Sequence, residues 1–390
     1  MSNTRIPRNK DNDYTTEAAS ARRDFIKEKT GVAMDHIGQY STDPAAIAGN
    51  CENFTGMIQM PLGLAGPVKI NGEHAQGEFY IPMATTEGTL VASYNRGMRA
   101  ISECGGIKTT VFEDVMQRAP AFIFESARES KAFGQWLLDN YPALREQAEA
   151  TTSVGKLQSI QQWPMNRTLY TRWNYSTGDA AGQNMVSKAT DAACKWILKN
   201  YPGDIELYSF SGNIDTDKKH SQMNFMHSRG KKVVAEIVLT KAVLEKLLHI
   251  TAEKLHQLRT LSNTGAVLAG SAYNGGHSAN GIAAFFIATG QDEANVVESH
   301  TGHVFTEVRP NGDLYWSWTL PSLIVATFGG GTALPTQREC LEMLDCYGKG
   351  KARKLAEIVA AVVAAGDISI ASAVRADEFV TAHETYGRNR

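Results

Sequence analysis

The 390-residue sequence has no long apolar run, no excess of either charge and no paired cysteines. Its most apolar late stretch, 358–365, falls far short of the ~20 residues that a membrane-spanning helix needs. Lys and Arg total 39 and Asp and Glu 41, for a formal net charge of -2. No basic face is implied, so nucleic acid and anionic bilayers are excluded as partners, and an anionic ligand must be held by a few placed cations. The five cysteines, Cys51, Cys104, Cys194, Cys340 and Cys346, are odd in number and form no CxxC pair. They also lack metal-ligand spacing with histidine, so they read as reduced thiols and no metal is expected. The polar opening MSNTRIPRNKDNDY lacks the apolar core of a secretory signal. A soluble, cytoplasmic protein is expected.

What is present is ordinary globular usage, 43% hydrophobic and 21% charged, in a chain too long for one simple core. Patterning predicts helices over 16–29 and 43–48, and then a Gly/Pro-dense stretch from Cys51. A central helix is predicted over 86–101, where Leu90, Val91, Tyr94, Met98 and Ile101 recur at helical spacing. Gly88 and Gly97 inside it point to close packing against another backbone or a ligand. Alternation from 105 to 111 predicts a strand, and Ser126 with Glu129 a capping box. Strands over 169–175 and 205–210 flank a helix carrying Met185, Ala189, Ala193 and Ile197. Further on come a buried strand over 232–239, a helix capped by Thr240 and another from about 279. A hairpin at Pro310-Asn311-Gly312 and two closing helices, 352–365 and 368–383, complete the pattern. The fold class is α+β. The expected division is an N-terminal helical segment (1–50), a large domain (51–119 and 210–390) and a small α+β module inserted at 120–209.

Several segments could carry chemistry. GDAAGQNM, 178–185, lies between a strand and a helix start, where free N–H groups and the helix dipole favour an anion such as a pyrophosphate. It matches neither GxGxxG nor a P-loop, and a tight turn with Asp179 as helix cap is the plain alternative. Gly329-Gly330-Gly331-Thr332 reads as a turn or as a surface that lets a cofactor approach. Glu87 could merely complement a helix dipole, Lys218 could lie in a solvated turn, Asp292 could be an exposed helix acid and His383 a surface histidine. Their alternative roles are proton transfer and oxyanion stabilisation.

Five stretches decide between these readings: ENFTGMIQMPLGLAGP, MATTEGTLVASYNRG, GDAAGQNMVSKAT, IATGQD and FGGGT. In order and spacing, from Cys51 to His383, the chain resembles 3-hydroxy-3-methylglutaryl-CoA reductases, in a soluble form resembling class I. The resemblance implies two hydride transfers from a nicotinamide nucleotide, NADPH or NADH, reducing the thioester to mevalonate and releasing coenzyme A. It implies that Glu87 donates and relays protons, that Lys218 stabilises oxygen anions, that Asp292 couples to both, and that His383 protonates the departing thiolate. Arg118, Ser211, Lys219, Asn95 and Asn280 match substrate-binding positions. Asp179, Ala181, Gly182, Gln183, Asn184, Met185, Ser153, Gly329 and Gly330 match the cofactor site. The fold implied has a ferredoxin-like nucleotide-binding insert, with the active site between the subunits of a homodimer or larger oligomer.

Three departures bear on specificity. The nucleotide motif usually reads DAMGMNM, where this chain has DAAGQNM. An arginine that pairs with the 2'-phosphate of NADPH is replaced by Ser153, with Lys156 the nearest substitute. A lysine ahead of GAVLAGS is replaced by Leu261, so Arg259 takes its place or the acyl group differs. Two alternatives follow: a reductase of the same mechanism acting on another acyl-CoA, and a CoA- or nucleotide-binding protein without catalysis.

Overall fold

In the computed structural model, residues 4–375 are described, and among them ten strands form two sheets. Strands β1 (Leu62–Asn71) and β2 (Gln76–Ala84) make an antiparallel pair. The larger sheet contains β3 (Lys108–Arg118), β4 (Ala121–Ile123), β5 (Lys156–Met165), β6 (Thr168–Ser176) and β7 (Leu207–Ser209). It continues with β8 (Gly230–Leu239), β9 (His303–Val308) and β10 (Leu314–Leu323). Its order is β7-β4-β6-β3-β8-β10-β9, with β5 on the other edge of β6. Every pair in these sheets is antiparallel, in accord with the α+β expectation.

Strand β3 joins two halves of the sheet. Its first part, Lys108 to Val115, pairs with β8, and Met116–Arg118 then pair with β6. Beyond that joint the chain runs β4, helices Ala127–Asp139 and Tyr141–Glu149, β5, β6, helix Gln183–Asn200 and β7. This half has its own core, including Phe122, Phe133, Trp173, Tyr175 and Ile197. The capping box of Ser126 and Glu129 is present as the sequence predicts. Helix Tyr141–Glu149 and strand β5 were not legible. The strand, KLQSIQQWPM, is an edge with only Leu157 buried, and its polar residues conceal its period.

The other core surrounds the 24-residue helix Ala352–Arg375. The stretch Ala352–Ala373 is long and apolar enough to cross a membrane, with mean hydropathy 1.8 in its best window, but 89% of that window is buried inside the protein. The expected break into 352–365 and 368–383 does not occur at Gly366, which lies inside one continuous helix. A Cβ there would lie 2.5 Å from the Tyr94 ring. Across the interface, a Cβ on Gly97 would lie 1.8 Å from the carbonyl oxygen of Ala365. The weak helix formers are therefore the points at which two helices touch. Gly88 is not one of them, because the helix expected over 86–101 is Leu90–Glu103, and the helix at the centre of the core is Ala352–Arg375. Thr89, at φ 69°, breaks the backbone just before Leu90, so Glu87 stands on the entry loop and not in a first helical turn.

Candidate active site

Helix Ser278–Thr289 places two polar pairs. At its start, Asn280 Nδ2 donates to both carboxylate oxygens of Glu87, at 3.2 and 2.9 Å. At its end, Gly290 adopts a left-handed cap at φ 66°. The Gln291 side chain is buried against Ala326, accepting from its N–H at 2.7 Å and donating to its carbonyl at 3.0 Å. That anchor fixes the next residue: Asp292 accepts from Ala294 N at 3.1 Å and meets Lys218 Nζ at 3.0 Å. Thr289 lies nine positions after Asn280, about 13.5 Å of helical rise. In a single chain, therefore, Glu87 and the Lys218–Asp292 pair lie at opposite ends of one helix. Among the described residues of one chain, Asp292 pairs with Lys218 and Glu87 with Asn280.

Lys218 lies on a loop in which Asn213, Thr216 and Lys218 all have left-handed backbones, at φ 68°, 57° and 56°. Such residues are costly unless the surroundings hold them. The hold is ionic: Arg118 Nη1 bonds Asp215 at 3.3 Å and Asp217 at 3.2 Å, and Arg229 Nη2 bonds Asp217 at 2.5 Å. Burial alone would raise the pKa of Asp217, but Arg229 and Arg118 outweigh it and hold the carboxyl below its usual range. The Lys218 N–H donates to Glu298 Oε1 at 3.1 Å.

The glycine motifs line a cleft of about 450 Å³ that also contains Asp292. Gly182, at φ 88°, opens helix Gln183–Asn200, and a Cβ there would meet Thr177 at 2.3 Å. A glycine offers no capping side chain, so the first N–H groups, on Gln183, Asn184 and Met185, are left to an outside acceptor. Ala181 lines the same wall, and Gln183 Nε2 reaches Asn295 at 2.8 Å. Opposite stand Gly329 and Gly330, at φ 84° and 58°. Gly331 packs so closely on Gly290 that a Cβ on the latter would lie 2.3 Å from its carbonyl oxygen. The residues present thus fit a nucleotide anion.

Asp179 needs a correction. Both its oxygens are taken by the N–H groups of Gly350, Lys351 and Ala352, at 2.7, 3.0 and 3.1 Å. It caps the terminal helix, not the helix that follows it in sequence, and it does not face the cleft as a ligand. Asp179→Ala is expected to cost about 1–2 kcal/mol of stability, read as a lowered midpoint in urea; an unchanged midpoint would count against the cap.

A family model of hydroxymethylglutaryl-coenzyme A reductase matches residues 18–388. The chain belongs to this family. It is 44% identical over 379 residues to the 3-hydroxy-3-methylglutaryl-coenzyme A reductase of Pyrococcus abyssi, covering 95% of this chain and 93% of that one. Identity to the Methanocaldococcus jannaschii reductase is 46% over 377 residues, with the same two coverages, 95% and 93%. Among solved structures, the class II reductase of Streptococcus pneumoniae bound to NADPH superposes with a TM-score of 0.70 at 20% identity. That match covers 91% of this chain and 86% of the other. Family membership makes the chain an oxidoreductase.

The remaining positions of the reductase motifs are dispersed. Arg118, at the end of β3, pairs with Asp215 and Asp217 of the Lys218 loop, and Lys219 on that loop donates from Nζ to Asp217 O at 2.9 Å. Ser211 begins that loop and is exposed. Asn95 is elsewhere engaged: its Oδ1 accepts from Gly66 N at 2.9 Å and anchors β1. Ser153 is exposed on a loop beside the nucleotide motif, where a Cβ on Gly178 would touch Val154 at 2.9 Å. Lys156 is already paired with Glu149 at 2.9 Å. Leu261 is 71% exposed on helix Ala252–Ala269, whereas Arg259 is buried and bonded to Asn274 O. His383 lies outside the described residues. Sequence reasoning missed Arg229 and Glu298, which stand in SRGKK and VVESH with no local pattern to mark them.

Proposed function

We propose that the chain reduces 3-hydroxy-3-methylglutaryl-CoA to mevalonate and coenzyme A, at sites each built from two copies of it. The observation that carries this reading is the shared cleft, in which an uncapped helix N-terminus faces the Asp292 that bonds Lys218. A nicotinamide nucleotide bound there supplies hydride. The inserted 120–209 module, whose strand order β7-β4-β6-β5 has the ferredoxin-like connectivity, is its binding domain.

The protein groups then have distinct tasks. The Lys218 ammonium, held by Asp292, faces the thioester oxygen and stabilises the charge that develops there. Glu87, oriented by Asn280, delivers the proton. His383 protonates the departing thiolate, so that it cannot recapture the aldehyde. Arg118 and Lys219 supply positive charge for the acyl carboxylate, with Ser211 and Asn280 completing the substrate contacts. Ser153 flanks the nucleotide. Because Glu87 and Lys218 sit at opposite ends of a helix in one chain, each Lys218 works with the Glu87 of a second copy. The oligomer is a homodimer or a larger symmetric assembly, working in the cytoplasm.

Turnover of another acyl-CoA remains the second reading, favoured by Leu261, since a leucine cannot pair with the terminal carboxylate and Arg259 is spent inside the fold. A binding protein without catalysis would not need the two ordered polar pairs. Nicotinamide oxidation with 3-hydroxy-3-methylglutaryl-CoA, followed in parallel with NADPH and NADH, tests the reading. Turnover is expected with both. Without an arginine at Ser153, and with Lys156 paired to Glu149, kcat/KM is expected to favour NADPH by no more than about tenfold. Turnover with a different thioester only would overturn the assignment.

A further inference from the structure

The segment that supplies Asp292 turns back within seven residues to supply a second carboxylate, Glu298. The two grip Lys218 from opposite ends: Asp292 holds Nζ at 3.0 Å and Glu298 Oε1 accepts from the backbone N–H at 3.1 Å. Glu298 is completely buried, as is its other partner, Arg229, whose Nε lies 3.4 Å from the same oxygen. Oε2 has no hydrogen-bond partner among the described residues. The platform beneath is fixed, since the neighbouring Ser299 Oγ accepts from Ile324 N at 3.1 Å.

Burying a carboxylate in this way is costly. Burial pushes its pKa up in spite of its hydrogen bonds and Arg229. A carboxylate kept only to neutralise Arg229 would duplicate Asp217, which already pairs with that guanidinium at 2.5 Å. What Asp217 does not provide is an acceptor for the N–H of Lys218. That residue has a left-handed backbone, at φ 56°, which no glycine relieves. Without the acceptor, the loop is free to relax toward an ordinary conformation and carry Nζ away from Asp292.

We propose that Glu298 is the positioning residue for Lys218, fixing the backbone from which the ammonium reaches the reacting oxygen. The inference rests on the catalytic reading of Lys218 given above. It concerns reach, not charge: an amide oxygen at the same distance does the work, and a carboxylate one methylene shorter does not.

The test is steady-state reduction of 3-hydroxy-3-methylglutaryl-CoA by the full-length protein carrying E298A, E298Q, E298D or K218A. E298A is expected to lower kcat about 100-fold, the scale of a roughly 1 Å misplacement of a reacting group. The KM for the nicotinamide nucleotide should stay within about twofold, because the cleft is not touched. E298Q should recover most of the lost kcat and E298D should not. Wild-type kcat in E298A would overturn the proposal, as would recovery by E298D but not E298Q, which would make Glu298 a counter-ion of Arg229. Should E298A fail to fold, the comparison of E298Q with E298D decides alone. An active K218A would instead bring down the underlying reading, whereas an inactive K218A beside a fully active E298A brings down only this inference.

Discussion

Lys218→Ala is expected to lower kcat by about 100- to 1,000-fold, the effect of removing one preorganised group that stabilises a developing oxyanion. The fold should be nearly indifferent to the same change. The Lys218 side chain is 44% exposed and its Asp292 partner 37% exposed, and a pair open to solvent contributes about 0–1 kcal/mol. In a chain of this size such a loss lowers the melting temperature by roughly 2–4 °C at most. The loop keeps its shape without the ammonium, because Arg118 and Arg229 grip Asp217 and Glu298 takes the Lys218 N–H. Measured together, kcat and thermal midpoint should therefore separate: activity goes and the fold stays. A variant that retains a tenth or more of wild-type kcat would remove Lys218 from the chemistry.

Residues read from ordered motifs were legible where the motif is also a local structural device. GQD is a helix stop, a buried amide lock and a cap in three consecutive residues, and GGGT is the glycine surface against which that stop packs. The cleft they share with GDAAGQNM was therefore implicit in the sequence, although no local pattern says that the three meet. Where a residue's partner is remote in sequence, the reading failed in characteristic ways. Asp179 has the look of a cap for the helix four residues later, yet its acceptors serve a helix more than 170 residues away. Glu87 reads as a first-turn acid because apolar spacing extends the helix too early; the left-handed backbone at Thr89 that stops it is not encoded by a glycine. Arg229 and Glu298 gave no signal at all, since a buried ion pair between distant segments has no periodicity. The long terminal helix was cut in two at Gly366 for the opposite reason. Glycine weakens an exposed helix, but here the missing side chain is what lets the Tyr94 ring in.

The separation of Glu87 from Lys218 has the most direct consequence. Each pair is internally complete, Glu87 with Asn280 and Lys218 with Asp292, and a whole helix stands between them. If two copies meet so that one contributes its Glu87 and the other its Lys218, two defective chains can repair each other. Glu87→Gln keeps an acceptor for Asn280 and Lys218→Ala leaves the loop anchored, so both variants should fold and associate. Each is expected to be inactive by itself. The decisive measurement is the activity recovered when the two are unfolded together, mixed in equal amounts and refolded. Random pairing into dimers makes half of them mixed, each with one intact site of two, so about one quarter of wild-type activity should return. A mixture as inactive as its components would contradict a site shared between copies and require Glu87 and Lys218 of the same chain to meet.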